Sequence, residues 1–365
     1  MKHTVLDKRW NFITVFDDVT GVYVRSGVIE NGKDTGVDPF MASFPHLIDV
    51  GIMGHCRHGK TGLCARAGIG CYQRGMSVEG PNMTLADFSE IVRQCAGRVN
   101  QFALGGRGDP DLHEHFGEIV KLCRDHHIAP NFTTSGYGLT EDSVALCKQF
   151  CGAVAVSWYR SDYTQRAVQL LLDAGVKTNI HYVLSGSTIG EAVERLRRGD
   201  FPKGINAVLF LLHKPIGQGK HDDVLRMDHP LLPRFFELLD KQRLPFKIGL
   251  DSCTTPGVIN FCTNVMLASI DTCEGGRFSC YIDAAMNMLP CSFDQSMEYA
   301  VSLRQHTIAQ AWESGEFERF RDKLRLACPG CKERVACLGG CPLLGDIVLC
   351  ERDDRSVTPM KGRTT

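Results

Sequence analysis

Residues 46–75 read HLIDVGIMGHCRHGKTGLCARAGIGCYQRG. Leu47 to Met53 is a short apolar run with one acid, Asp49, the pattern of a buried strand. A loop follows at once, carrying Cys56, Cys64 and Cys71 with seven and six residues between them. Gly54, Gly59, Gly62, Gly68 and Gly70 punctuate it, and glycine lets a backbone turn tightly and approach a bulky group. Three thiolates are one short of the four that a 4Fe–4S cluster normally takes. The uncovered iron is then free to bind and polarise a ligand, as an open zinc position is. A zinc loop, or unrelated thiols, is the competing reading of these residues.

Outward from this stretch, strands and amphipathic helices alternate. A helix signalled by Thr84 and Asp87 runs to about Ala96. Strands are expected at Asn100 to Leu104, Ala129 to Thr134, Ala153 to Trp158, Lys177 to Leu184, Ala207 to His213 and Pro245 to Asp251. Helices fall between them, over Asp111 to His127, from Thr140, over Asp162 to Ala174, from Thr188 and from His229. Such alternation means a parallel sheet. The fold class is α/β, a partial (βα)6 TIM-like barrel with a small Cys-rich C-terminal domain. Active sites of such barrels lie at the C-terminal strand ends, where Cys56 falls. Gly105-Gly106-Arg107 and His213 to Gly219 end two other strands with the same bare backbone. Three stretches are expected: a β-hairpin appendage over 1–45 (Trp10 to Phe16 against Gly21 to Val28), the barrel over 46–250 and the auxiliary domain over 251–365.

Composition narrows the function. With 43% hydrophobic and 23% charged residues and a net charge of −1, there is no electrostatic case for nucleic acid or an anionic membrane. Met1 to Asp18 is not a signal peptide, and no apolar stretch approaches the ~20 residues of a membrane span. A cytoplasmic location follows. Seventeen cysteines in a reducing compartment point to metal or catalysis. Ten of them lie from Cys253 to Cys350. Cys328, Cys331, Cys337 and Cys341 form C-x2-C-x5-C-x3-C, with Cys350 nine positions on and Cys273, Cys280 and Cys291 before them. Eight cysteines suffice for two 4Fe–4S clusters, and structural zinc is again the alternative. Cys95, Cys123, Cys147 and Cys151 have apolar helical neighbours and read as core thiols. Cys253 and Cys262 bracket a loop that ends a strand, within reach of a cluster or substrate.

From residue 47 to 350 the chain resembles radical S-adenosylmethionine enzymes with a C-terminal SPASM domain, whose C-x2-C-x5-C-x3-C…C comb it matches without a gap. The resemblance implies that Cys56, Cys64 and Cys71 hold a 4Fe–4S cluster that binds S-adenosylmethionine, with Tyr72 near the family's aromatic position. It implies cofactor contacts from Gly105, Gly106 and Arg107, where the family has Gly-Gly-Glu, and from Ser157 and His181 at strand ends. Cys273, Cys280, Cys291 and Cys341 would hold an inner auxiliary 4Fe–4S cluster, and Cys328, Cys331, Cys337 and Cys350 an outer one. Three departures stand out. The cluster loop is eight residues longer than the family's C-x3-C-x2-C. Arg107 replaces the Glu, leaving backbone or Asp109 for that contact. Ser292 follows Cys291 where sulfatase-maturing members have a basic Asp, and Asp294 comes two later. Asp109, Arg160, Lys214 and Asp294 are candidates for substrate or catalytic roles. The implied activity is hydrogen abstraction by a 5′-deoxyadenosyl radical, with an electron donor such as flavodoxin or ferredoxin. The substrate is expected to be a peptide or protein. A small molecule is the runner-up, because 46 leading residues are few for a winged-helix leader-binding domain, and a non-catalytic metal-stabilised binding protein is a third reading.

Overall fold

Phe12–Asp17 (β2) alternates buried and half-buried residues and pairs antiparallel on both sides, with Lys2–Asp7 (β1) and Tyr23–Arg25 (β3). The expected hairpin is therefore a three-stranded sheet, followed by a small hairpin, Ile29–Glu30 (β4) with Lys33–Asp34 (β5). The computed structural model describes residues 2–62, 64, 70–266 and 269–351; Gly68 lies outside them.

Leu47–Met53 (β6) begins the main sheet. Its even residues Ile48, Val50 and Ile52 are fully buried, and its odd residues point to the other face. After it come Arg57–Thr61 (α1) and Leu85–Cys95 (α2). Thr84 caps α2, its hydroxyl accepting from Asp87 N at 3.1 Å. Phe88, Ile91, Val92 and Cys95 form its buried face, and burying a side chain such as Phe or Ile contributes about 1.5–3 kcal/mol.

The same unit repeats. Gln101–Gly106 (β7) leads to Phe116–Asp125 (α3), and Ala129–Thr134 (β8) to Glu141–Phe150 (α4). Val154–Ser157 (β9) leads to Asp162–Asp173 (α5), and Thr178–Leu184 (β10) to Ile189–Arg198 (α6). Ala207–Leu212 (β11) leads to Leu232–Lys241 (α7), and Lys247–Leu250 (β12) to Thr255–Phe261 (α8). Two expected helices are shorter than their apolar pattern. The first is preceded by a 3-10 turn at Pro110–Leu112 and starts only at Phe116. The second starts at Leu232, with Pro233 in its first turn, where a missing N–H is harmless.

The sheet did not end where the alternation does. Ser279–Ile282 (β13) pairs parallel with β6, Cys280 opposite Ile48 and Tyr281 opposite Asp49. Asn287–Leu289 (β14) and Val301–Ser302 (β15) continue antiparallel. The order is β12-β11-β10-β9-β8-β7-β6-β13-β14-β15, an open barrel with two edges. Ile308–Trp312 (α9), Gly315–Arg325 (α10) and Arg334–Cys337 (α11) complete the chain.

The N-terminal sheet lies against the N-terminal ends of the barrel strands. Lys177, just before β10, donates to the carbonyls of Val19 and Thr20 at 2.8 and 2.9 Å. Tyr23 Oη meets His46 Nδ1 at 2.7 Å, just before β6. The Cys56 end of the barrel is opposite.

Candidate functional site

At the end of β6, Cys56 becomes the N-cap of α1, its sulfur accepting from Gly59 N at 3.3 Å. The helix stops at Gly62, φ 68°. The loop is folded so tightly that a Cβ on Gly54 would stand 1.9 Å from Pro81 O, and one on Gly59 2.0 Å from Gly75 O. Its far end is clamped by the strand-end loop after β11: Gln218 N donates to Cys71 O at 3.0 Å. The structure thereby brings Cys56, Cys64 and Cys71 within electrostatic reach of one another. Burial raises the Cys56 thiol pKa against the opposing amides of Gly59 and His58. Burial, then the neighbouring Cys56 and Cys71, pushes Cys64 up to about 12. These thiols give up their protons when a metal replaces them.

Gly105 and Gly106 end β7 beside this loop. Gly106 has φ 109°, and a Cβ there would meet Met53 O at 2.4 Å, so glycine is required. Gly105 has open space where a side chain would be. Arg107 N donates to Met53 O at 2.8 Å, and its buried Nε has no hydrogen-bond partner among the described residues. Asp109 is committed elsewhere. Its carboxylate meets His58 Nε2 at 2.9 Å and accepts from Ser135 N at 3.0 Å and from the Ser135 hydroxyl. Asp111 lies behind it, and burial followed by the Asp109 charge raises its pKa against the opposing Thr134 hydroxyl.

Inside the barrel, Ser157 and Tyr159 face the same loop, Tyr159 within reach of Cys64, Asp109 and Cys71. His181 is held by Thr133 Oγ1 at 3.1 Å, and burial lowers its pKa to about 4, so the imidazole is neutral. Tyr72 keeps 36% of its surface accessible. Its ring rests on Phe293, centroids 4.8 Å apart. Tyr281 and Asp49, register partners across β13 and β6, share that interior. No hydrogen bond or ion pair reaches the Asp49 carboxyl among the described residues, and burial alone lifts its pKa to about 7. An acid whose folded pKa is raised loses stability as pH climbs from its unfolded value near ~4 to the folded one. Asp49→Asn is therefore expected to stabilise the protein above pH 7 and to change little below pH 4, in anaerobic urea unfolding across that range. An equal gain at both ends would show that the carboxyl is not the cause.

Two assigned candidates are structural. Arg160 pairs with Glu191 and donates to Trp158 O at 3.2 Å. Asp294 organises its own turn, accepting from Ser296 Oγ at 2.6 Å and Tyr299 N at 2.9 Å. Both charges are partnered within the fold.

The inner cysteine set needs a correction. Cys280 is 2% exposed on the outer face of β13, paired with Ile48 and packed near Cys95 in the apolar core. Strand alternation turns it away from Cys273 and Cys291. Cys253, on the 3-10 turn after β12, stands there instead, its thiol in hydrogen-bond contact with that of Cys341. Cys273 and Cys291 lie within electrostatic reach of Cys253. Arg277 Nη1 holds Cys273 O at 3.0 Å, and the buried Arg321 ties Gly276 O to Trp312 O at 2.6 and 2.8 Å. Cys262 instead points to Phe236 O, 3.8 Å away.

Cys328, Cys331, Cys337 and Cys350 line one pocket walled by Pro256 and Ile259. Thr272 Oγ1, next to Cys273, donates to Cys337 O at 2.7 Å and joins the two sets. Three groups of thiols thus stand in sequence from the barrel mouth to the C-terminal region. Among the described residues no three Cys, His, Asp or Glu side chains close round a point as a single ion's ligands do. The donors are all thiols and the glycines leave room, so the sets suit iron–sulfur clusters.

Sequence reasoning placed Cys253 near a cluster or substrate without joining it to the inner set, and it missed His58, Ser135, Tyr159, Asp251 and Phe293. Cys253 has a signal, an acid-flanked thiol at a strand end; the others are ordinary polar or aromatic residues made notable only by their neighbours.

No protein-family model matches the chain, and no curated protein does. Solved structures do. SuiB of Streptococcus suis bound to S-adenosylmethionine is 14% identical over 82% of this chain and 74% of its own, with TM-score 0.62. SuiB bound to the precursor peptide SuiA is 15% identical over 86% and 77%, also at 0.62. Native anSMEcpe with bound AdoMet and Cp18Cys peptide is 17% identical over 81% and 89%, at 0.58. The likeness is one of fold: a large parallel sheet wrapped by helices as a partial barrel, with a Cys-rich C-terminal region.

Proposed function

We propose that this chain is an enzyme that reductively cleaves S-adenosylmethionine and takes hydrogen from a peptide or protein substrate. The observation that carries the reading is the convergence of Cys56, Cys64 and Cys71 at the C-terminal end of β6, beside the bare backbone of Gly105 and Gly106. Cys56, Cys64 and Cys71 would hold a 4Fe–4S cluster there, and the chemistry it would supply is the one-electron reduction that cleaves S-adenosylmethionine. The protein's part is to bind, orient and exclude water. The Gly105–Gly106 backbone receives the methionine end. Ser157 and the neutral His181 face the remaining cofactor surface. Tyr72, Phe293 and Tyr281 wall the substrate chamber with rings. In this reading Cys253, Cys273, Cys291 and Cys341 hold the inner auxiliary cluster and Cys328, Cys331, Cys337 and Cys350 the outer one.

The peptide assignment is supported by SuiB and anSMEcpe, both solved with peptides bound. One observation favours a small molecule instead: the N-terminal sheet sits at the end of the barrel opposite the mouth, where it presents nothing to the chamber. We further propose the division 1–45, 46–250 and 251–365, a flavodoxin- or ferredoxin-type electron donor, and a cytoplasmic location. No described helix is long and apolar enough to cross a membrane, and no described cysteine is in a disulfide.

Anaerobic reconstitution followed by iron and sulfide analysis tests the reading. Three clusters of four imply about twelve irons per chain with matching sulfide. Stoichiometric zinc without sulfide would overturn it in favour of a metal-stabilised binding protein.

A further inference from the structure

Lys214 follows β11 and Asp251 follows β12, and the two meet between the barrel and the inner cysteines. Lys214 is only 7% exposed. Its Nζ bonds Asp251 Oδ2 and lies 4.7 Å from the centroid of the Phe293 ring. Leu212 N also donates to Oδ2, at 3.0 Å, while Oδ1 is buried with no partner among the described residues. Asp251 is two residues from Cys253, and Phe293 two from Cys291. Lys214 therefore bridges the turns that carry two of the four inner thiols, and the charge of both reaches it. The Lys214 ammonium and the Asp251 carboxylate face each other as a matched, buried ion pair.

A buried ion pair adds little to stability, because desolvation cancels most of its attraction. Placed beside a redox centre it has another effect. The potential of an iron–sulfur cluster is set by net charge, hydrogen bonding and exposure. We propose that the Lys214–Asp251 pair sets the reduction potential of the inner cluster, Lys214 raising it and Asp251 lowering it. This rests on the reading that Cys253, Cys273, Cys291 and Cys341 hold a 4Fe–4S cluster. Reduction adds one negative charge to that site. A fixed ammonium attracts it and a fixed carboxylate repels it, each strongly where little water screens. Neither residue needs to touch substrate; both are positioning residues.

The test is potentiometric titration followed by electron paramagnetic resonance, on the full chain reconstituted anaerobically. Lys214→Met is expected to move the midpoint of one auxiliary cluster downward. Asp251→Asn is expected to move the same midpoint upward, and Lys214→Arg to restore the parent value. The other two clusters should not move. Opposite signs are the mark of charge, since mere disruption of packing would shift both variants alike. Shifts of the same sign, or none, overturn the proposal. If Lys214→Met does not keep its iron, Lys214→Gln carries the same comparison. A parent protein lacking the inner cluster's iron overturns the underlying reading itself, an outcome visible before any variant is made.

Discussion

Replacing Cys56, Cys64 and Cys71 together by Ala is expected to yield a soluble protein that has lost one cluster, about four irons of twelve, and all production of 5′-deoxyadenosine with a strong reductant. The loop lies outside the strands, and none of its three thiols contributes to the ladder that pairs β6 with β7 and β13. Loops of this kind can lose function without unfolding the scaffold. Each single substitution should behave alike, because each leaves two thiolates for the cluster. Cys95→Ala and Cys147→Ala, both in the helical core, should keep full iron and activity. A triple variant with undiminished iron that still cleaves S-adenosylmethionine would show the loop to be a decoy.

The second large effect separates Cys253 from Cys280. Cys253→Ala is expected to lose a second set of about four irons and all turnover of substrate, while the cluster at the barrel mouth still cleaves S-adenosylmethionine. Cys280→Ala should retain every iron. Its cost is that of a small buried truncation, a few tenths to about 1 kcal/mol, read as a modest fall in the urea midpoint. Iron analysis of the two variants side by side decides the matter. Loss of iron from Cys280→Ala with none from Cys253→Ala would restore the ligand set that the resemblance implies.

That reversal shows what the sequence displays and what it hides. The barrel strands are legible because each is an apolar run between helices, and the helix starts read at Thr84 and Thr140 are caps whose hydroxyls accept amide hydrogens. Cys328 to Cys350 is legible because local spacing alone gathers those thiols. Cys280 misleads for a local reason. It lies in Ser279-Cys280-Tyr281-Ile282, a strand too short for period-two alternation to stand out, and its face is fixed by pairing with β6, more than 200 residues earlier. The Lys214–Asp251 and His58–Asp109 pairs join separate strand ends, 37 and 51 residues apart. Neither follows from composition or period. Asp294 reads as a candidate base from its place after Cys291, and its short local hydrogen bonds show a turn instead.

Strand β13 has a consequence for how the chain can be divided. β6 carries the cluster loop and is an apolar strand, LIDVGIM, with Ile48, Val50 and Ile52 fully buried. β13 covers its outer side from Leu47 to Val50. Cutting the chain after β12 strips that cover and leaves a seven-residue hydrophobic strand with a row of open amides and carbonyls. Such an edge is a template for another chain. The Cys-rich region thus also supplies the strand that closes this side of β6, and a barrel cut free of it carries an unpaired strand edge.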